Sequence, residues 1–535
     1  MFSNHSTEIS LNAPSRSIAA ISGDKRNHRF IVGTCALTPT NHDNSNQLNL
    51  LRYHEEMNEL AIDAQLSHPT GDVWTVSSCP FDTKLVITCG SGGLENGLKN
   101  ETVLYRLPDD ALRDDDLDYT QDDIGIEGGS IDDTMRSDGD TFHVSGGRET
   151  SDALHSDSTN MTQVCILNHD SLSDVKSEYN LKNRVSCVIW NPTCIPSDYD
   201  SDYMNLPENG TGDHNTSSNN SVECNLVTVS FGAGLDPEER SVVTTWDVNG
   251  SSATPISRIP ILNKGAGTSP FMQSSPKAAW DPHNSRACVA TCDSNVVLLD
   301  LRSDTSHSRN VNTIKGCHWG AVTDVDYNPN KPHVLATCGL DGLIKFWDLR
   351  YTSSSFHIDI ADQSSPSLST LKHKPKRQTP IHTLRGGHTH YATVLKYNSF
   401  HDQLLLSGGS DGMVNLWRCS SISSAPLLDL GDANDGNDGR NIQQDKIFSS
   451  NNNNLSYYEE DTSQSYGNSN MINDGNSAVD GSNAPDKRVS KFEMVDAVYD
   501  LTWSAADAWV FVTVSFDGNV VLNHVPSKEK YKILL

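Results

Sequence analysis

Short apolar runs separated by polar turns recur along the chain. Within residues 315–350 the apolar runs lie at 322–327, 334–337 and 344–347, and a tight turn at 340–342 precedes the last of them. Runs of this kind, rich in β-branched and aromatic residues and bounded by Gly, Pro, Asn and Asp, predict β-strands. A His ahead of the first run and a Trp-Asp pair at the end of the last are typical of one blade of a WD-repeat propeller.

The same unit recurs at 387–417, and in both units four residues are separated by the same distances along the chain. The two sets are His318, Thr337, Asp341 and Trp347, and His388, Ser407, Asp411 and Trp417. We expect the Asp to accept a hydrogen bond from the His, the His to bond the hydroxyl, and the hydroxyl to reach the indole N–H. Such a network satisfies every buried polar member, which is the condition for it to stabilise the fold.

His, Ser and Asp also make up the nucleophilic triad of hydrolases, and residues 408–412 (GGSDG) match the G-x-S-x-G elbow. That elbow requires a strand followed by a helix, whereas here a strand follows. The constellation also occurs twice, once with Thr in place of Ser. We therefore interpret both sets as blade scaffolding and predict no catalytic residues.

Seven units follow one another along the chain: 17–53, 71–106, 185–247, 277–302, 315–350, 388–417 and 496–525. The predicted fold class is all-β, a seven-bladed WD-repeat β-propeller that forms a single domain over residues 16–535. A propeller avoids long free sheet edges by radial repetition and closure. We therefore expect the N-terminal strands to pair with the last blade.

Four polar segments interrupt the units and are predicted to be disordered inserts: 107–160, 194–221, 351–380 and 421–490. Only 36% of the 535 residues are hydrophobic, which is low for a fully packed chain. Residues 107–160 hold 16 acidic and 3 basic residues, and 421–490 hold 11 and 4, so they supply 13 + 7 = 20 of the net −29 charges. The remainder is mildly acidic, which disfavours a nucleic-acid partner.

Candidate cofactor and metal sites are weak. The twelve Cys residues lack C-x-x-C pairs and zinc spacings, so we expect no metal and no cofactor. The Gly-rich stretch at 90–97 lacks the Gly-Lys-Ser/Thr ending of a phosphate loop and is interpreted as a flexible hairpin loop. The basic cluster at 372–378 is typical of a nuclear-import signal or an anionic-lipid contact, but its place in an insert favours a solvated loop.

The N-terminus and the hydropathy indicate the compartment. Residues 1–20 lack a positive region followed by an apolar one, and no apolar run approaches the ~20 residues of a membrane span. The prediction is a reducing, cytoplasmic location without direct membrane insertion.

An ordered set of stretches resembles the EARP and GARP complex-interacting protein family. The stretches are 30–34, 71–82, 324–348, 397–412 and the C-terminal block 496–535. The resemblance implies a non-enzymatic scaffold that binds tethering complexes of the endosome and trans-Golgi network and supports endosomal recycling and retrograde vesicle traffic. It also implies a monomeric propeller within a larger assembly, peripheral on those membranes. The inserts look longer than the family's.

Two other functions remain open from the residues. Trp347-Asp348-Leu349-Arg350 matches the W-D-x-R motif of substrate receptors for cullin-type ubiquitin ligases, in which Arg350 would contact an adaptor. The simpler interpretation is a solvated Arg after a strand end. An enzyme would need convergent polar or metal-binding residues in the central channel, and the sequence shows no such ring.

Overall fold

The computed structural model describes twelve stretches of the chain. They are 6–36, 46–69, 71–91, 100–112, 160–169, 183–193, 224–232, 239–262, 275–301, 312–351, 378–424 and 486–534. They belong to one compact unit, Met1–Pro426 with Asp486–Leu535. The second unit, Leu427–Pro485, and most of the four predicted inserts lie outside the described residues.

The described strands form seven four-stranded antiparallel sheets, which confirms the seven-bladed propeller. Blade one contains β2 (Ser15–Ala20), β3 (His28–Thr34), β4 (Gln47–His54) and β5 (Glu59–Ser67). Blade two contains β6 (Thr75–Ser78), β7 (Leu85–Ser91), β8 (Asn100–Arg106) and β9 (Thr162–Ile166). Blade three contains β10 (Asn183–Trp190), β11 (Leu226–Gly232), β12 (Glu239–Val248) and β13 (Ala253–Leu262).

The remaining blades repeat this order. Blade four contains β14 (Ala278–Trp280), β15 (Ala287–Cys292), β16 (Asn295–Asp300) and β17 (Asn312–Ile314). Blade five contains β18 (Val322–Tyr327), β19 (Val334–Gly339), β20 (Ile344–Asp348) and β21 (His382–Leu384). Blade six contains β22 (Ala392–Tyr397), β23 (Leu404–Gly409), β24 (Met413–Cys419) and β25 (Asp486–Glu493).

Blade seven is built from both ends of the chain. Its strands β26 (Val498–Trp503), β27 (Val510–Ser515) and β28 (Asn519–His524) are joined by β1 (Thr7–Ser10), which pairs antiparallel with β28. The expected pairing of the N-terminal strand with the last blade is confirmed. Because β1 precedes residue 16, the propeller begins earlier than the sequence analysis placed it.

The fourth strand of several blades lies beyond a long segment that sequence analysis assigned to an insert. In blade six, residues 486–490 are part of β25, and Ile422 is buried, although both fall within the predicted insert 421–490. Pairing with β24 supplies the backbone hydrogen bonds that a composition-based prediction does not see. The part of this segment that lies outside the propeller strands is therefore shorter than predicted.

Hydrophobic clusters fill the seven interfaces between adjacent blades. One cluster joins blades five and six through Phe346, Leu395 and Trp417, and another joins blades seven and one through Val512 and Phe30. Each blade therefore buries both of its faces against its neighbours, and the ring is a single cooperative structure.

A C-terminal helix, α1 (Ser527–Leu534), packs back on the ring. Its Glu529 is buried and accepts a hydrogen bond from Arg418 of blade six at 2.7 Å. No helix among the described residues has the length and apolarity needed to cross a membrane.

The connections between strands are divided between the two faces of the ring. We call the face at which the first strand of each blade begins the upper face. The alternating strand direction places connections from the first to the second strand, and from the third to the fourth, on the lower face. The described residues that flank the segments 113–159, 194–223 and 352–377 lie at the lower face.

Candidate functional site

The first predicted set is assembled within blade five. His318 Nδ1 lies 2.7 Å from Asp341 Oδ1, and its Nε2 lies 2.8 Å from Thr337 Oγ1. The indole N–H of Trp347 donates to the same hydroxyl at 2.9 Å. A Cβ at Gly339 would lie 2.5 Å from His318 Cγ, so a residue with a side chain would displace the imidazole.

The network fixes the charge state of its members. Burial lowers the pKa of His318, which favours the neutral imidazole. Burial alone would raise the pKa of Asp341, but hydrogen bonds from His318 and from two backbone N–H groups lower it to about 2. A neutral imidazole that donates from Nδ1 accepts at Nε2, so the Thr337 hydroxyl donates to it.

The second set has the same geometry in blade six. His388 Nδ1 lies 3.2 Å from Asp411 Oδ1, its Nε2 lies 2.8 Å from Ser407 Oγ, and Trp417 donates to Ser407 at 2.9 Å. Ser407 is fully buried, as is Thr337 in blade five. A nucleophile must meet its substrate, so these hydroxyls are placed for a structural role.

Blades two and three contain partial networks that the sequence analysis missed. His68 Nε2 lies 2.9 Å from Thr88 Oγ1 in blade two. His169 Nε2 lies 3.0 Å from Thr228 Oγ1 in blade three, and Trp246 donates to this hydroxyl at 2.9 Å. In place of a carboxylate, the backbone carbonyls of Gly71 and Leu167 face the two Nδ1 atoms at 2.9 and 3.1 Å.

Arg350, the candidate partner contact of the W-D-x-R motif, lies on the lower face. Its Nε and Nη2 donate to the two carboxylate oxygens of Asp348 at 2.9 and 2.6 Å, and its side chain is 59% exposed. The hydrogen bond from Arg350 lowers the pKa of Asp348. One edge of the guanidinium is therefore bonded to Asp348, while the rest of the group faces solvent.

Charged residues converge on the central channel, contrary to the expectation that no such ring exists. A cavity of 490 Å³ is lined by Lys277, Asp324, Asp326, Lys396 and Asp500, which come from four consecutive blades. Sequence reasoning missed them because they are far apart in the chain. Asp324 and Asp500 are third in β18 and β26, and Asp326 and Lys396 are fifth in β18 and β22, so alternate positions of the first strands carry them.

The channel carboxylates join neighbouring blades. Asp324 accepts the backbone N–H of Leu395 at 3.0 Å, and Asp500 accepts that of Ile18 at 3.1 Å. Burial raises the pKa of Asp326 to about 6. Burial alone would lower the pKa of Lys396, but the surrounding carboxylates raise it. Among the described residues, no group of three or more His, Cys, Asp and Glu side chains is placed to hold a metal ion.

A row of stacked cationic and aromatic side chains crosses the upper face beside the channel mouth. The Arg16 guanidinium lies 3.7 Å from the ring centroid of Trp74 and 4.5 Å from that of Tyr499. Arg184 lies 4.2 Å from the Trp74 ring. Phe516 continues the row, with its centroid 5.8 Å from that of Tyr499. We call these five residues the arginine row; the sequence analysis gave them no role.

Comparison with known proteins bears on the whole ring. The family model described as EIPR1 beta-propeller matches residues 270–417. The EARP and GARP complex-interacting protein 1 of Homo sapiens is 24% identical over 511 residues, which cover 95% of this chain and 93% of the human protein. The EARP-interacting protein homolog of Danio rerio is 25% identical over 523 residues, covering 97% and 96%. The EARP-interacting protein homolog of Gekko japonicus is 24% identical over 510 residues.

The resemblance to the EARP and GARP complex-interacting proteins is confirmed. The stretch matched by the family model contains both complete His–hydroxyl networks and four of the five charged channel residues. The matched relatives extend the likeness to blades one, two, three and seven, where the arginine row lies. The similarity to this family therefore covers the whole ring.

Proposed function

We propose that the protein is a non-enzymatic WD-repeat scaffold that binds EARP- and GARP-like tethering complexes and supports endosomal recycling and retrograde vesicle traffic. One observation carries the proposal. The chain is similar over 95% of its length, and over 93% of theirs, to proteins named for interacting with these complexes. Similarity of that extent includes every blade, so it covers whichever surface the relatives use.

The geometry supports a binding role. The ring is closed by its own N-terminal strand and has a packed interface between each pair of adjacent blades. It therefore presents two rigid faces. A rigid surface loses little conformational entropy when a partner binds. The His, Ser and Thr groups that resemble a catalytic set are buried and bonded to one another.

The same proposal covers location and assembly. We place the protein in the cytoplasm, peripheral on endosomes or the trans-Golgi network, because a tethering complex would recruit it there. We further propose that it acts as a monomeric propeller within that larger assembly. Its ring is completed by one chain, which supports a monomeric subunit.

Affinity capture tests the function. The tagged full-length chain is captured from cells of its own source after mild lysis, and bound proteins are identified by mass spectrometry. Subunits of the tethering complexes are expected in the eluate and absent from a tag-only control. A folded chain that recovers none of them would contradict the proposal, with folding checked by a cooperative thermal transition.

A further inference from the structure

The arginine row occupies positions that other blades use for a structural contact. The first strands of five blades contain a bulge near the upper face, and Arg16 and Tyr499 are the bulged residues of blades one and seven. At the equivalent position Ser186 donates to Pro276 O at 2.6 Å, and Thr323 donates to Ala392 O at 2.5 Å. A bulge changes the direction in which a side chain points. Blades one and seven have Arg and Tyr at the position where other blades have Ser or Thr.

Arg16 is held in place by stacking. Its guanidinium is stacked against Trp74 and Tyr499, and among the described residues it has no hydrogen-bond or ion-pair partner. Stacking uses the faces of the planar group, whereas its five N–H donors point outward from the edge. The edge is therefore oriented in advance for a planar acceptor such as a carboxylate.

A second cation shares the same ring. Arg184 stacks on Trp74 and donates to the neutral acceptors Asn100 Oδ1 at 3.5 Å and Ser91 Oγ at 3.3 Å. Burial lowers the pKa of Arg16, and the charge of Arg184 lowers it further, while Asp72 raises it slightly. Asp72 is already engaged by the hydroxyl of Ser91. Two neighbouring positive charges thus lack a carboxylate bonded to either among the described residues.

Exposed apolar groups extend the surface. Trp319 (80% exposed), Tyr391 (42%) and Val495 (86%) lie in upper-face connections that lead into blades five, six and seven. The lower face also exposes apolar side chains, such as Phe400 (48%), so apolar exposure alone does not separate the faces. What distinguishes the upper face is the Arg16 guanidinium, which is stacked between two aromatic rings.

We propose that the upper face is a docking surface for an acidic peptide segment of a partner protein, with Arg16 binding its carboxylates and Trp74 and Tyr499 supporting the peptide. This inference rests on the proposed function, since it assigns a surface to the same partner. The net charge of −29 repels extended polyanions such as nucleic acid, whereas a short segment with a few carboxylates gains local charge-assisted bonds. The described residues that flank 113–159, 194–223 and 352–377 lie on the opposite face.

A peptide titration tests the surface. The purified full-length chain is titrated at low salt into fluorescein-labelled hexaglutamate, with hexaglutamine as the uncharged probe, and binding is read as fluorescence anisotropy. We expect hexaglutamate to bind more tightly than hexaglutamine. Arg16→Gln should lower its affinity about tenfold or more, because a charge-assisted hydrogen bond is lost. Arg16→Lys should be intermediate, since it keeps the charge but loses the fork.

Arg26→Gln is the matched control. Arg26 lies in the same blade, in the exposed lower-face connection between β2 and β3, and its replacement changes the net charge equally. We expect it to change the affinity by no more than about twofold. Equal binding by the wild type and the Arg16→Gln chain, or no preference for hexaglutamate, would overturn the proposal, provided that both variants show a cooperative thermal transition.

The chain's own acidic segment is the alternative occupant. The titration is therefore repeated with a chain that lacks residues 113–159. Binding of hexaglutamate that appears only after this deletion would assign the surface to the chain itself and overturn the proposal of a partner segment. Equal binding with and without residues 113–159 supports it.

Affinity capture separates this inference from the function on which it rests. Tethering subunits that are recovered with wild type and Arg26→Gln but lost with Arg16→Gln support both. Subunits recovered equally with Arg16→Gln overturn the surface and leave the function intact. Subunits missing from the wild-type eluate overturn the function, and the peptide titration then decides the surface by itself.

Discussion

Blades five and six and blades two and three anchor a buried His in different ways. In blades five and six a carboxylate, Asp341 or Asp411, holds the imidazole Nδ1. In blades two and three a backbone carbonyl takes that place. The fold requires an acceptor at this point, and either chemistry supplies one. A side-chain acceptor can be recognised in the sequence by its residue type, whereas a backbone carbonyl occurs at every residue and cannot.

The largest expected effect comes from removing the central hydroxyl. Thr337→Val leaves both the Trp347 indole N–H and His318 Nε2 without this partner, at a cost of about 1–3 kcal/mol for each buried group. Thr228→Val should cost as much, because that hydroxyl serves His169 and Trp246. Urea unfolding measures the change in the free energy of unfolding.

Thr88→Val is the internal comparison for these variants. The Thr88 hydroxyl serves only one ring of the described network, His68, so its loss should cost about half as much. A cost equal to that of Thr337→Val would show that the two kinds of network do not differ in the way described.

Asp411→Ala converts a complete network into one that lacks its carboxylate. The substitution leaves His388 Nδ1 unpaired, and we expect a loss of about 1–3 kcal/mol in the free energy of unfolding. Thermal unfolding followed by circular dichroism measures it. An unchanged melting temperature would mean that water or the backbone can replace the carboxylate in blade six, as the backbone does in blades two and three.

The buried His residues of both kinds of network should make the stability of the fold depend on pH, because burial lowers their pKa values. Burial lowers the pKa of His169 to about 4 in the folded protein, against about 6.5 when exposed. The unfolded chain therefore binds more protons between these values, so the free energy of unfolding falls as the pH drops from about 6.5 towards 4. The slope is at most about 1.4 kcal/mol per pH unit for this His. Asp341, with a pKa of about 2, loses its contribution only at lower pH.

His169→Gln tests that assignment. The slope of the free energy of unfolding between pH 7 and 5 should become shallower, whatever the change in its absolute value. His283→Gln, at an exposed position, is the surface control. A slope that stays the same after His169→Gln would show that His169 is not the group that titrates.

The smallest effect is expected at Arg350. Its side chain is exposed, and among the described residues it bonds its near neighbour Asp348, so Arg350→Ala should change the free energy of unfolding by less than about 0.5 kcal/mol. Capture of tethering subunits should be unchanged as well. If the variant instead loses a ubiquitin-ligase adaptor that the wild type binds, the W-D-x-R alternative becomes the better account of the lower face.

The predictable part of the structure follows from local spacing. The units at 315–350 and 387–417 revealed two complete networks because no insert separates the His from its Ser or Thr. His169 and Thr228 are 59 residues apart, and His68 precedes the unit predicted at 71–106, so spacing could not pair them. The fourth strands in blades two, five and six were missed for the same reason.

The channel and the arginine row could not be inferred from local pattern. Arg16 and Tyr499 lie at opposite ends of the chain, and only ring closure brings them together around Trp74. Asp324 and Lys396 meet because alternate positions in neighbouring first strands face one axis. The sequence predicted that the ring closes, but it did not show which side chains the closure brings together.

The pairing of β1 with β28 has a consequence for biosynthesis. Strand β1 pairs with a strand that lies about 500 residues later in the chain, so during translation Thr7–Ser10 must wait for Asn519–His524. Until then the N-terminal strand of the nascent chain lacks its native partner, and such a strand is a hazard for association with other chains. Deletion of residues 7–10 and a stop codon before residue 519 should therefore damage the same sheet, although the two changes lie far apart in the message.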